Sequence, residues 1–197
     1  MQVSFAALAV FCGSTPGDDP VFRERAHAFG ATLARRGIRL IYGGGDVGLM
    51  GALADGVLSG GGDVHGVITR ALEAKEIAHR GLGTLEVVET MHERKARMAD
   101  MADAFVMLPG GFGTWDEFCE AVTWTQLGVH SKPCGVLEVA GYFDPLRALV
   151  EGATREGFIR PEHAGLVVMD SDPAALLDRL ALWEPVRLDR WLDRRQR

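Results

Sequence analysis

Short apolar runs alternate with helix-length amphipathic segments along the whole of this chain, with no Pro/Ser-rich linker between them. Strand, crossover helix and strand in repetition build a parallel sheet buried on both faces. The pattern therefore predicts a single α/β, Rossmann-like, doubly wound domain. About seven mostly parallel strands are expected: Phe5 to Phe11, Ile38 to Tyr42, Asp63 to Thr69, Leu85 to Val88, Ala104 to Leu108, Gly135 to Val139 and Leu166 to Met169. Helices are expected from Pro20 to Arg36, Gly48 to Leu58, Met91 to Met101, Thr114 to Leu127, Asp144 to Glu156 and Pro173 to Leu182. One further helical turn belongs in the loop Arg70 to Gly83. Gly37 ends the first helix as a left-handed C-terminal residue does. The domain spans residues 1–186. Residues 187–197, which mix Arg190, Arg194 and Arg195 with Asp189 and Asp193, read as a solvated charged tail.

Charge and cysteine usage narrow the partners. With 21 Lys+Arg against 27 Asp+Glu the net charge is −6, which offers no attraction to a nucleic-acid duplex or an anionic membrane. Cys12, Cys119 and Cys134 are far apart and form no Cys-x-x-Cys pair, which fits a reducing cytoplasm and argues against a structural zinc site. Val3 to Cys12 is apolar but short and has no basic flank, so it reads as a buried strand and not a signal peptide. No run is long enough to span a bilayer.

Any phosphate must then be held locally, and the glycines say where. Cys12-Gly13-Ser14 follows the first strand, Gly43-Gly44-Gly45 the second, and Pro109-Gly110-Gly111-Phe112-Gly113-Thr114 the fifth. In an open parallel sheet all three loops leave one edge, where ligands bind and where glycine lets amide groups approach an oxyanion. Ser14, Gly44, Gly45, Pro109, Gly110, Gly111 and Gly113 are the candidate binding positions. The bland alternative is that each glycine makes only a tight turn. Gly43, Gly45 and Gly48 also match G-x-G-x-x-G. The acidic residue that should end the following strand is missing, since Asp63 begins that strand and Thr69 closes it, so a dinucleotide reading ranks low.

Thr114-Trp115-Asp116-Glu117 has the form of a capping box, and Thr90-Met91-His92-Glu93 is a second match that leaves Arg94 and Lys95 just beyond it. A structural reading of Glu117 as a helix cap therefore competes with a chemical one. Both segments start helices at the glycine edge.

The same residues carry a family resemblance. Pro109 to Glu117 fits the motif P-G-G-x-G-T-x-x-E, and Met91-His92-Glu93-Arg94-Lys95 resembles the companion Arg-Lys motif, of the LOG (Lonely Guy) family. These are cytokinin riboside 5′-monophosphate phosphoribohydrolases long mislabelled lysine decarboxylases. The similarity extends through Tyr42-Gly43-Gly44-Gly45, Gly48-Leu49-Met50-Gly51, Trp124-Thr125-Gln126-Leu127-Gly128 and Gly141-Tyr142-Phe143. It implies a homodimer with active sites near the interface. The implied substrate is a nucleoside 5′-monophosphate, AMP or N6-prenylated AMP, which releases free base and ribose 5-phosphate. It further implies Glu117 and Arg94 as the catalytic pair, with Lys95, Thr114, Gly110, Gly111 and Gly113 in binding. Trp115 stands where many members have Leu, and Thr69 where Pro is frequent. Both bear on base preference more than on reaction type.

Breaking an N-glycosidic bond builds positive charge on the ribose and negative charge on the base, so a carboxylate near the sugar and a cation or donor near the base suit those roles. Other polar residues rank lower. The six histidines show no ligand spacing, so no metal is expected. Cys12 reads as a buried small hydrophobe, and Glu76 as a loop carboxylate that could touch the ribose. Two alternatives remain. A non-catalytic nucleotide or molybdenum-cofactor carrier would need only the glycine loops. A pyridoxal-phosphate decarboxylase would need a Schiff-base lysine, for which Lys75, Lys95 and Lys132 are poorly suited, so no organic cofactor is expected.

Overall fold

The computed structural model describes residues 5–74, 79 and 81–185. Its strands are β1 (Ala7–Phe11), β2 (Arg39–Tyr42), β3 (Val64–Thr69), β4 (Thr84–Val88), β5 (Ala104–Met107), β6 (Cys134–Leu137) and β7 (Val167–Asp170). They form one sheet in the order β4-β3-β2-β1-β5-β6-β7, and every pairing is parallel. The chain winds outward from β1 in one direction and from β5 in the other. The crevice at their carboxyl ends is therefore the topological switch point, where ligands bind in such sheets.

The helices are α1 (Pro20–Arg35), α2 (Gly48–Ser59), α3 (Arg70–Glu73), α4 (Met91–Met101), α5 (Phe112–Leu127), α6 (Asp144–Arg155) and α7 (Pro173–Ala181). Alternate residues of β1 face two different cores. Leu8 and Val10 pack with Phe29 and Leu33 of α1, Leu53 and Val57 of α2 and Leu177 of α7. Ala9 and Phe11 pack with Met98 of α4 and Phe118 of α5. A strand covered on both faces has no polar side, which is why it reads as an unbroken apolar run.

Local signals place several ends as expected. Asp19 caps α1 by accepting from the Val21 amide, Pro20 opens it, and Gly37 follows its end at φ +66°. Thr90 and Glu93 close a complete capping box on α4.

Other boundaries move. β1 starts at Ala7, because the Ala6 and Ala7 amides donate to Asp103 Oδ2 at 2.8 and 3.0 Å. β6 stops at Leu137, two residues before the turn that contains Ala140 and Gly141, both at positive φ. A 3-10 helix, Pro161–Leu166, precedes β7. The main correction concerns α5, which begins at Phe112 with Gly111 as a cap that has no side chain. The expected start at Thr114, with Thr114 and Glu117 as a capping box, does not form. Thr114 is buried inside the first turn and Glu117 lies farther along, with its carboxylate engaged by another helix. The charged tail and Glu76 lie outside the described residues.

Candidate active site

Arg94 occupies the first turn of α4, just past the capping box, and its aliphatic stem enters the protein there. The guanidinium is almost fully buried and tied on each side. Nε donates to Val67 O of β3 at 2.9 Å, Nη2 to Gly43 O at 3.4 Å, and Nη1 to Glu117 Oε1 at 3.1 Å. Met91 Sδ lies 3.9 Å from Nη1. The Arg94 and Glu117 side chains are 8% and 11% exposed. The pair thus joins the second and third strands to α5 at the crevice floor. Burying two charges is costly unless they are paired and hydrogen-bonded, and both conditions hold. Cys12, at the end of β1, lies beside them. Burial, and then the charge of Glu117, push its thiol well above the ordinary range, so it is a neutral, inert wall.

Lys95 faces the other way. Its Nζ lies 3.2 Å from Asp116 Oδ2 and 3.1 Å from Glu120 Oε2, so its charge is spent in tying α4 to α5. Burial alone would lower its pKa, but the hydrogen bonds to Glu120 and Asp116 outweigh that and raise it.

The three glycine loops divide. Gly43, Gly44 and Gly45 are buried. A Cβ on Gly43 would lie 2.1 Å from Arg94 Nη2, so the missing side chain is the room the guanidinium occupies. The helix that follows offers no anion site either. The Leu49 and Met50 amides at the start of α2 donate to Gly13 O at 3.0 and 3.4 Å. The G-x-G-x-x-G match therefore has no free helix end for a pyrophosphate, which removes the dinucleotide reading.

The loop after β5 is different. Pro109 O accepts from the Gly13 amide at 3.0 Å, which joins this loop to the one after β1 across the switch point. Gly111, Phe112 and Gly113 are exposed, and Gly111, the cap of α5, has no side chain to engage the leading amides of that helix. A helix start of this kind suits an external acceptor. Ser14 is exposed on the neighbouring loop. Thr114 is buried with its Oγ1 against Gly110, where a Cβ would come within 2.2 Å. Phe112 and Trp115 stand edge to face with centroids 5.3 Å apart, and Phe112 is 85% exposed. Thr69, at the position where Pro is frequent, caps α3 by accepting from the Leu72 amide at 3.3 Å.

Two participants were missed from the sequence. The His79 amide donates to Gly44 O at 3.2 Å, and its ring meets Asp55 Oδ1 at 3.1 Å, which straps the β3–β4 connection onto the second glycine loop. Tyr142 donates through its hydroxyl to Gly110 O at 2.5 Å. The signal for Tyr142 was its place just past the sixth strand, on the glycine edge.

Comparison with known proteins gives this geometry a family. The model of the family described as "Possible lysine decarboxylase" matches residues 50–180. The chain is 48% identical over 176 residues to the probable cytokinin riboside 5′-monophosphate phosphoribohydrolase LOGL1 of Oryza sativa subsp. japonica, covering 89% of this chain and 79% of that one. It is 44% identical over 181 residues to cytokinin riboside 5′-monophosphate phosphoribohydrolase LOG7 of Arabidopsis thaliana, covering 92% and 83%. Among solved structures, the molybdenum cofactor binding protein of Rippkaea orientalis superposes with a TM-score of 0.66 at 18% identity, over 88% of this chain and 93% of that one. The Moco carrier protein of Chlamydomonas reinhardtii superposes at 0.67 and 20%, over 89% and 97%. At such identities the likeness is one of fold. No helix among the described residues is long and apolar enough to cross a membrane. By sequence the chain belongs to the cytokinin riboside 5′-monophosphate phosphoribohydrolase (LOG) family.

Proposed function

We propose that this chain hydrolyses the N-glycosidic bond of AMP or an N6-prenylated AMP, releasing the free base and ribose 5-phosphate. The observation that carries the reading is the Arg94–Glu117 pair beside an uncapped helix N-terminus at the switch point. The 5′-phosphate sits on the amides of Gly111 to Gly113, with Ser14 and Thr114 as hydroxyl donors nearby and Pro109 and Gly110 shaping the loop. Glu117 lies by the ribose, where it steadies the oxocarbenium-like carbon or orients water. Arg94, with Nε, Nη1 and Nη2 all engaged, holds Glu117 in place from behind. Gly44, Gly45 and Lys95 act indirectly, as packing and as a tie between helices. No step calls for a metal or an organic cofactor, so dialysis against a chelator is expected to leave turnover unchanged. A carrier function is not favoured, because the relatives at 48% and 44% identity are named as phosphoribohydrolases while the likeness to carriers, at 18% and 20%, is one of fold.

The apolar rim of Phe112, Trp115 and Met91 supports a homodimer with its sites near the interface, the last two being 42% and 41% exposed. A dimer by light scattering is expected. A fully active monomer would refute it. Free thiols at Cys12, Cys119 and Cys134 fit a cytoplasmic location.

The decisive test is Glu117→Gln. Gln keeps an acceptor oxygen for Arg94 and loses the charge, so the stability cost is about 1–3 kcal/mol, or several degrees of melting temperature. Base release from AMP is expected to fall roughly 10²–10³-fold, with AMP binding largely kept. A variant that retains most of its base release would reduce Glu117 to a structural partner of Arg94.

A further inference from the structure

We infer that Tyr142 is a positioning residue for the phosphate site: its hydroxyl holds the Gly110 carbonyl and so aims the next amide, that of Gly111, into the crevice. The inference rests on the nucleotide-binding reading above and adds a residue to it.

The Tyr142 hydroxyl donates to Gly110 O at 2.5 Å across 32 positions of sequence. One residue earlier, Pro109 O accepts from the Gly13 amide at 3.0 Å. Two successive carbonyls of the loop are thus taken by the protein. In a planar trans peptide the carbonyl and the following N–H point in opposite directions. Fixing the Pro109 and Gly110 carbonyls therefore turns the Gly110 and Gly111 amides the other way. Gly111 is exposed, and it caps a helix without contributing a side chain of its own to the leading amides. The tie on Gly110 O is what keeps this peptide from rotating.

The arm that carries the hydroxyl is rigid. Its ring meets Phe22 edge to face at 5.9 Å and Phe143 at 4.8 Å, and Phe143 is itself buried. The turn behind it is strained, with Ala140 at φ +52° followed by Gly141 at φ +76°. A non-glycine residue keeps that conformation only where its surroundings hold it there. Here Val139 and Phe143 are buried at the two ends of the turn, and the Tyr142 amide donates to Val139 O at 3.0 Å. The turn so held seats Tyr142 over the loop.

The test is Tyr142→Phe, with binding of ribose 5-phosphate, AMP and adenosine measured by calorimetry beside AMP turnover. Loss of one orienting hydrogen bond is expected to weaken ribose 5-phosphate and AMP by roughly 3- to 10-fold. Adenosine affinity should be unchanged, and KM for AMP should rise more than kcat falls. Replacement of Tyr142 by 4-aminophenylalanine, which keeps the ring and returns an N–H donor, should recover most of the loss. Equal weakening of AMP and adenosine, no weakening of either, or loss of the fold would overturn the inference, since the hydroxyl would then serve the domain and not the loop. If the parent bound ribose 5-phosphate in this Tyr142-dependent way yet released no base from AMP, the hydrolase reading would fall and this one would stand.

Discussion

Gly43-Gly44-Gly45 and Gly110-Gly111-Phe112-Gly113 look alike in sequence and leave the same edge of the sheet, yet their surroundings are opposite. The first segment is buried. The space its missing side chains leave is filled by protein, by the Arg94 guanidinium at Gly43 and by Leu85 and Ile68 at Gly44. The second stands open beyond Gly110, and a Cβ on Gly111 or Gly113 would meet nothing within 4 Å. The helix behind the first has its leading amides taken by Gly13 O, while the helix behind the second has no side-chain cap. A glycine loop at a strand end is thus available to a ligand only where nothing else in the fold has claimed the space.

Substitution can break this contrast, and Gly43→Ala should have the largest effect. The new methyl would lie 2.1 Å from Arg94 Nη2, so the guanidinium must leave both its pocket and Glu117. A broken buried pair costs about 3–5 kcal/mol, and base release should fall by at least roughly 10². A variant that melts and turns over like the parent would show that the loop does not seat Arg94.

Gly44→Ala comes next. Gly44 holds φ +77°, and its Cβ would meet Leu85 Cδ1 at 2.8 Å. The left-handed backbone costs a non-glycine residue about 1–2 kcal/mol, and Leu85 must also shift. Stability should drop by that order while AMP affinity holds. A matching loss of affinity would mean that Gly44 faces ligand.

Gly113→Ala should do the reverse. The methyl enters open space and improves helix propensity, so stability should stay level or rise by up to about 1 kcal/mol. The KM for AMP should increase roughly fivefold, the equivalent of one weakened hydrogen bond. An unchanged KM would take Gly113 out of the phosphate site.

The smallest effect belongs to the third turn at this edge. Ala140→Gly relieves a left-handed alanine, but the extra freedom of the unfolded chain offsets part of the gain, leaving about 0.5 kcal/mol of stabilisation in a denaturant titration. Destabilisation would show that the Ala140 methyl itself makes a contact worth keeping.

What a few neighbouring residues decide was legible without the fold. The alternation of apolar runs implied the parallel sheet, Gly37 the end of α1, and Thr90 with Glu93 the start of α4. The two helix ends depend on backbone groups within about one turn. The motif residues Arg94 and Glu117 could be named, but their relation could not. Thr114 and Glu117 have the local form of a capping box, and that form lost to an arginine 23 positions away. The Tyr142 hydroxyl on Gly110 O spans 32 positions, and the Arg94 contact with Gly43 O spans 51. Only the assembled sheet, with its strand-end loops side by side and α4 packed against it, brings such groups together. A local pattern sets which hydrogen bonds a helix end is able to make. The tertiary structure decides which of them a buried charge will outbid, because an unpaired guanidinium inside the protein costs more than a missing cap.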